Sequence, residues 1–483
     1  MGRDSRHEPI VILGAGVAGL ATAYRLAELG RGPVLVLERA ATAGGLAGTV
    51  EFGGARFDMG SHRVHPQSYP DALALMRRLL GNDLLRVRRH GRLRFNGGYL
   101  DYPPTLGDFL AVLGAREIAR CGAALLAARL RAPSTVREAP SYENYLLPRV
   151  GRRAFDLFYA PYARKVFGLE PAQVSAAAAK TRITTARPWA LVWQMARLAR
   201  PRREPDGDGD AGAFFYYPRQ GFGSIGAALR DAAVGRGVEI RTGVTVRGLR
   251  RSDSDVTEVI ADAGGTSHTI RAAAVVSSLQ LAGLLRLLDP APPTAVRDAA
   301  ESLRWRGIRL LQVVLDRPRC LDGETYYFPE ERYVFGRISE PPLFSEALRG
   351  APGTTALNIE VICSPGDALW SLDDDRFLDH VAQQAAELGL FVRGDVRAAR
   401  SLRLPAVYPV YDRDYRARLD AVLTWLRGID NLYSIGRGGL FLHANTDHSI
   451  HLGLRLAQHL AAPEASAATW DGAFPADEMT VRD

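Results

Sequence analysis

Residues 8–38 read EPIVILGAGVAGLATAYRLAELGRGPVLVLE. Glu8 to Leu13 is a short apolar run rich in β-branched residues, which suits a buried parallel strand. The run breaks at Gly14-Ala15-Gly16-Val17-Ala18-Gly19, and apolar residues then recur at helical spacing until Gly30. A second apolar strand, Pro33 to Leu37, ends in Glu38. Strand, glycine turn, helix and strand together make a β-α-β dinucleotide unit. Gly14 permits the tight turn, Gly16 lets the backbone approach a pyrophosphate, and Gly19 lets the helix sit close to the strand. The helix N-terminus then offers free N–H groups and a positive dipole end to phosphate. Glu38, 19 residues past Gly19, is placed to accept from ribose hydroxyls.

The chain continues with Arg39-Ala40-Ala41-Thr42-Ala43-Gly44-Gly45-Leu46. A Gly-Gly pair just after the ribose acid resembles the extended fingerprint of FAD proteins in the glutathione-reductase and amine-oxidase clan. FAD binds stretched, and a second glycine-rich loop must run near its phosphates. Leu46 stands where most relatives carry Arg or Lys. Residues 57–65, Phe57-Asp58-Met59-Gly60-Ser61-His62-Arg63-Val64-His65, contain Gly-x-His-x-x-His. This is similar to the protoporphyrinogen-oxidase and UDP-galactopyranose-mutase branch, where such a segment runs along the isoalloxazine ring. A histidine there can hydrogen-bond flavin N5 or supply a proton near neutral pH.

The resemblance covers most of the chain. Tyr159 to Pro171 resembles the family's Y-x-x-K-x-W-G segment, with Lys165 in place and Phe167 for Trp. Tyr216-Tyr217-Pro218-Arg219-Gln220-Gly221-Phe222-Gly223 resembles its turn into a helix. Asn431 to Arg437 is a strand ending in Gly-Arg, followed by a loop and the helix HLGLRLAQHL. Asp447 is expected to cap that helix, whose N-terminus would stabilise charge on reduced flavin. The resemblance implies FAD contacts at Gly14, Gly16, Ala18 and Gly19, at Glu38, Arg39, Gly45 and Leu46, and at Gly60, Ser61 and His62. It implies further contacts at Val246, Ser277, Gly436 and Arg437, and at Asp447, His448 and Ser449. Catalytic roles are expected at His62, His65 and Arg437, and substrate contacts at Arg63, Arg219, Tyr408, Tyr411 and His443. Arg92, Arg94 and Tyr102 are further candidates. The mutase pattern is broken at Phe441 and His443, where the mutases carry tyrosines, and at Asn445, where they carry Asp.

The resemblance implies an α/β fold. A Rossmann-type FAD-binding domain of the glutathione-reductase type would span 1–64, 206–283 and 418–465. An inserted α+β substrate domain, helices plus an antiparallel sheet, would take 65–205 and 284–417, and 466–483 would form a loose tail. Residues 65–205 read as helical. RLLQVVLDRP, TYYFPE, YVFGRIS and TALNIEVIC read as strands of a sheet over the flavin. The polar stretch PRREPDGDGDAG reads as a loop. Leu106 to Leu130 reads either as a packed helix pair or as a helix on a membrane surface.

Composition narrows the classes. The 483 residues carry a net charge of +8, yet Lys165 and Lys180 are the only lysines, so 59 of 61 basic residues are arginine. That bias explains most of the charge, and the arginine clusters lack the interleaved aromatics of a nucleic-acid site. Cys121, Cys320 and Cys363 are too scattered for a disulfide framework or a zinc site. No long apolar run or signal peptide is visible, so a cytoplasmic location is expected, with peripheral membrane association allowed. The expected partner is a small molecule, anionic or a nucleotide sugar, with no nucleic acid and with a homodimer allowed. The leading expectation is an FAD-dependent oxidoreductase that takes hydride at flavin N5. The alternatives are a redox-neutral mutase acting through reduced flavin and a flavin-stabilised binding protein.

Overall fold

The computed structural model describes residues 8–102, 104–131, 140–182, 213–252, 254–462 and 465–470. β1 (Ile10–Leu13) and β2 (Val34–Leu37) pair in parallel, Ile10 opposite Val34 and Leu13 opposite Leu37. α1 (Val17–Glu28) connects them. β13 (Ala274–Ser277) lies on the other side of β1, with β20 (Leu432–Ser434) beyond it and β9 (Glu239–Arg241) outside β2. Every pairing is parallel, in the order β20-β13-β1-β2-β9. Val11, Ile12, Val36, Val275 and Val276 are fully buried, each worth roughly 1.5–3 kcal/mol of transfer free energy. α1 and the helix Gly223–Val234 contribute Leu20, Leu26, Ile225 and Leu229 to the same core, and Thr446–Ala461 adds Ile450 and Leu456. The strand order reverses between β1 and β13. An open parallel sheet binds ligands outside the carboxyl ends of its strands at such a switch point.

Beside it, β10 (Val244–Ser252), β11 (Asp255–Ala263) and β12 (Thr266–Arg271) form an antiparallel set, with β14 (Leu288–Asp289) parallel to β10. β3 (Thr49–Phe52) and β4 (Ala55–Asp58) make a hairpin. β5 (Leu84–Arg88) pairs with β8 (Phe214–Pro218).

The largest sheet has seven strands in the order β19-β15-β18-β17-β16-β6-β7. These are β19 (Val396–Pro409), β15 (Trp305–Leu315), β18 (Thr355–Ile362), β17 (Phe335–Ser339), β16 (Thr325–Tyr327), β6 (Gly91–Phe95) and β7 (Gly98–Tyr102). All neighbours are antiparallel except β16 and β6. The four strand-like runs seen in the sequence are β15, β16, β17 and β18. One face of this sheet packs on the helix Asp374–Glu387 through Leu311, Val313, Ile359, Phe377 and Val381.

The all-helical reading of 65–205 needs correction. α2 (Pro70–Leu80), α3 (Leu106–Arg131) and α4 (Tyr142–Ala154) are helices, but β5, β6 and β7 lie between α2 and α3. Leu93, Phe95 and Leu100 point inward while the interleaved arginines stay partly exposed, which is strand period. α3 breaks at Gly114, where φ is 75°, and packs along α4. The candidate helix WALVWQMARLARP, the loop PRREPDGDGDAG and most of the C-terminal tail lie outside the described residues. Among the described residues no helix is long and apolar enough to cross a membrane.

Candidate active site at the carboxyl edge of the parallel sheet

The three glycines of the first turn differ in what surrounds them. Gly14 has φ 101°, and a Cβ there would lie 2.3 Å from Ser278 Oγ. A Cβ on Gly19 would lie 2.1 Å from the Gly14 carbonyl oxygen. A Cβ on Gly16 would meet nothing within 4 Å. Two of the glycines are thus required by the chain's own packing, and the third faces open space at the N-terminus of α1. Glu38 stiffens the turn, accepting the Ala15 N–H on Oε2 and the Ala40 N–H on Oε1, both at 2.8 Å. The second glycine loop docks on the first through the Gly44 N–H and the Ala15 carbonyl, 2.8 Å apart. Arg39 is exposed, as is Leu46.

β4 delivers the segment Asp58–His62 to the same edge. Asp58 is buried and accepts from the Thr49 hydroxyl (2.6 Å), the Phe222 N–H (2.9 Å) and the Tyr217 hydroxyl. Burial outweighs these donors and pushes its carboxyl up to about 6. Gly60, at φ 131°, turns the chain. The Ser61 N–H then donates to Glu360 Oε1 at 2.6 Å, while Glu360 Oε2 accepts from Arg337 Nη2 at 2.7 Å. Arg337 and Glu360 sit directly opposite each other on β17 and β18. Burial opposes the Arg337 charge, but the Glu360 carboxylate outweighs it and holds the guanidinium protonated.

His62 is half-buried. Its Nε2 lies 3.1 Å from the Leu46 carbonyl oxygen, and its ring stacks on Phe222 with centroids 4.9 Å apart. Burial, followed by the Arg337 and Arg437 charges, pushes its pKa down to about 3. It is therefore a neutral clasp between the Gly44–Gly45 loop and the Asp58–His62 segment. His65 stands apart and accepts the Gln67 N–H at 3.1 Å in a turn.

From the C-terminal side, Arg437 donates through Nε and Nη2 to the Ala444 carbonyl, at 2.9 and 2.5 Å. Its Nη1 donates to the Val407 carbonyl at 3.1 Å. These two carbonyls belong to the neighbours of His443 and Tyr408, whose rings stack with centroids 5.1 Å apart. Arg437 thus braces the two segments that present that pair. Tyr411, expected to face substrate, is 3% exposed and built into the core. Its hydroxyl accepts the His443 N–H at 2.9 Å and donates to the Phe441 carbonyl at 3.3 Å.

One further expectation is corrected. The N-cap of Thr446–Ala461 is Asn445, and Asp447 lies in the first turn. There it contacts His448 Nδ1 at 3.0 Å. Burial works against its charge, but the hydrogen bond to His448 keeps its carboxyl below the usual range. Ser449 Oγ donates to the Asn445 carbonyl at 3.1 Å. Arg219 is surface-exposed and paired with Asp83 at 2.9 Å. Arg63 is 7% exposed by side chain, with Nη2 donating to Thr325 Oγ1 at 2.7 Å. Ser277 is buried at the carboxyl end of β13, and Val246 lies in β10. Sequence reasoning missed Arg337 and Glu360. Among the described residues no His, Cys, Asp and Glu group could hold a metal ion.

Residues 17–401 match the family described as flavin containing amine oxidoreductases. The phytoene dehydrogenase of Streptomyces griseus is 30% identical over 322 residues, 59% of this chain and 56% of that protein. The chain thus spans just over half the length of that curated relative. Among solved structures, reduced UDP-galactopyranose mutase superposes with a TM-score of 0.80 at 20% identity, covering 96% of this chain and 98% of that one. A protein described as a protoporphyrinogen oxidase from Exiguobacterium sp. 255-15 superposes at 0.72 with 19% identity, covering 95% and 99%.

Proposed function

The chain belongs to the flavin containing amine oxidoreductase family, and from that membership we propose that it oxidises an anionic small molecule by hydride transfer to N5 of its bound FAD. It is a flavin-dependent oxidoreductase with a Rossmann-type FAD-binding fold and a second, sheet-containing part. The domain division is read as 1–64, 206–283 and 418–465 for FAD, with 65–205 and 284–417 for substrate.

FAD supplies a two-electron acceptor. Gly14, Gly16, Ala18 and Gly19 are assigned to its pyrophosphate, since the open space at Gly16 fits a phosphate against an α-helix N-terminus. Glu38 is assigned to a ribose; each oxygen already accepts one N–H and keeps a free lone pair. Arg39, Gly45 and Leu46 follow as the second phosphate loop, and Val246 and Ser277 as neighbours of the adenine half. Gly60, Ser61 and His62 would flank the ring. Gly436 and the first turn of Thr446–Ala461, with Asp447, His448 and Ser449, would hold its other side, where the helix N-terminus would stabilise negative charge on the reduced cofactor.

The observation that carries the reading is the Ser61–Glu360–Arg337 linkage, which ties the ring segment to a guanidinium on the sheet above it. Arg337, Tyr408 and His443 are the groups proposed to meet substrate, with Arg437 positioning the last two. A guanidinium held there favours a substrate that carries negative charge. A hydrocarbon such as phytoene would leave its donors without acceptors. The test is anaerobic mixing of the FAD-loaded protein with candidate anionic substrates. Bleaching of oxidised flavin by a substrate supports the reading; a flavin that only dithionite reduces overturns it.

A second reading, redox-neutral isomerisation of a nucleotide sugar on reduced flavin, is favoured by the same cationic lining. It requires product formation only after chemical reduction and with no net oxidation.

A further inference from the structure

A second group of charges lies past the ring segment, where β16, β6 and the turn before β6 meet. Arg63 is nine-tenths buried, its guanidinium stacked 5.0 Å from Phe215, 5.8 Å from Tyr327 and 5.8 Å from Phe344. Its Nη2 is used by Thr325, but Nη1 has no hydrogen-bond partner and stands 3.7 Å from Glu324 Oε1. Glu324 is held by the His90 N–H on Oε2 at 2.8 Å, and its Oε1 is also without a partner. Arg89 precedes His90, and its buried Nε has no acceptor. Burial lowers the Arg89 pKa, and the like charge of Arg63 is the next cause. Tyr327 carries a buried hydroxyl with no partner, and its ring lies 4.7 Å from Tyr102.

Two arginines therefore share one carboxylate in a poorly solvated place. Donors on Arg63, Arg89 and Tyr327 are left without acceptors. A buried donor without an acceptor costs about 1–3 kcal/mol, more when charged, and an unbalanced buried charge costs more still. One added oxyanion would restore the charge balance and supply the missing acceptors. Arg89, Tyr102 and Tyr327 are each partly exposed, while the unpartnered atoms themselves are covered, so an oxyanion reaches them by displacing the side chains at the rim. Tyr327 also contributes to the electrostatic surroundings of Arg337, which connects this group to the ring side of the site.

We propose that Arg63, Arg89 and Tyr327 form an oxyanion subsite that takes the terminal phosphate or carboxylate of the substrate, with Glu324 limiting its net charge. The proposal rests on the reading above of an anionic substrate processed beside the flavin. It adds that the substrate carries its anion at the end away from the reacting bond.

The test is calorimetric titration of the FAD-loaded full chain with inorganic phosphate and, separately, with acetate, against chloride at equal ionic strength. Saturable binding of phosphate or acetate is expected, and the stronger of the two identifies the tail. Arg89→Gln should weaken that binding by about tenfold or more, the worth of one charge-assisted hydrogen bond. Glu324→Gln should strengthen it several-fold, which keeps the test decisive if Arg89→Gln fails to fold. Binding no different from chloride, or unchanged by both substitutions, overturns the subsite. Saturable binding by a protein whose flavin no substrate reduces keeps the subsite and overturns the oxidation. Substrate-driven flavin reduction without anion binding does the reverse.

Discussion

The main-chain N–H of Ser61 donates to Oε1 of Glu360 at 2.6 Å, across 299 residues of chain. The other oxygen of Glu360 carries Arg337. One carboxylate therefore fixes the Asp58–His62 segment and orients a guanidinium. Glu360→Gln keeps one acceptor but turns an amide toward either Ser61 or Arg337, which both donate. We expect substrate-dependent flavin reduction to slow by about ten- to a hundredfold, the range seen when an orienting partner is removed, with FAD still bound. Glu360→Ala leaves Arg337 buried and uncompensated and should cost about 3–5 kcal/mol in denaturant unfolding.

The glycines of the first turn separate packing from binding. Gly19→Ala drives a Cβ to 2.1 Å from a backbone oxygen and should lower the melting temperature with or without FAD. Gly16→Val meets no protein atom at Cβ. It should leave the apoprotein's melting temperature near the parent's while the purified protein loses most of its yellow colour. The flavin-to-protein absorbance ratio and a melting curve on deflavinated protein read the two effects apart.

Arg437→Lys tests the brace. A lysine ammonium is a point donor and cannot span the Val407 and Ala444 carbonyls as a guanidinium does. The Tyr408–His443 stack should loosen, so kcat falls by about tenfold or more, as for other orienting partners. FAD content should stay near the parent's.

Asp58 makes stability depend on pH in a stated direction. Its folded pKa of about 6 lies above the ordinary Asp value of 3.8 that holds in the unfolded chain. Between those values the unfolded chain loses the proton first, so stability falls as pH rises from about 4 to about 6 and is flat beyond. The full drop is about 3 kcal/mol at 1.36 kcal/mol per pKa unit. Asp58→Asn should remove that slope. It should also leave stability near the parent's where Asp58 is protonated, since its oxygen keeps the Thr49 and Phe222 donors and its NH₂ meets the Tyr217 hydroxyl, which can accept. Urea midpoints across this pH range measure both.

Lys165 donates from Nζ to the carbonyls of Phe328, Glu330 and Phe335, at 2.5, 2.8 and 2.8 Å. Burial pulls its pKa down to about 7, but three carbonyls match three ammonium protons. Lys165→Met strips donors from all three and should cost about 1–3 kcal/mol or more, seen as a lower urea midpoint.

The parallel sheet and its first turn were legible because the motif is local: strand, glycines, helix and acid fall within residues 8–38. The Arg337–Glu360 pair was not, because each charge sits alone in a strand read for its apolar residues. A signal was present, since Glu360 in TALNIEVI and Arg337 in FGRIS are charges inside otherwise buried runs. Such charges persist only with partners. Arg219 and Tyr411 are expected at the substrate from motif position alone. Neither Asp83 beside the first nor the main-chain groups of residues 441 and 443 around the second can be read from spacing. The β6–β7 hairpin was lost to its arginines, which hid the period-two alternation of Leu93 and Phe95.

The order of the parallel sheet also sets a timetable. β1, which carries the glycine turn, is made first, yet β13 and β20 on its flank emerge hundreds of residues later. On the ribosome the nucleotide cradle therefore waits, half walled, while most of the chain is translated. Such distant pairings form slowly. The sheet around the glycine turn is therefore complete only once residues 432–434 have been made.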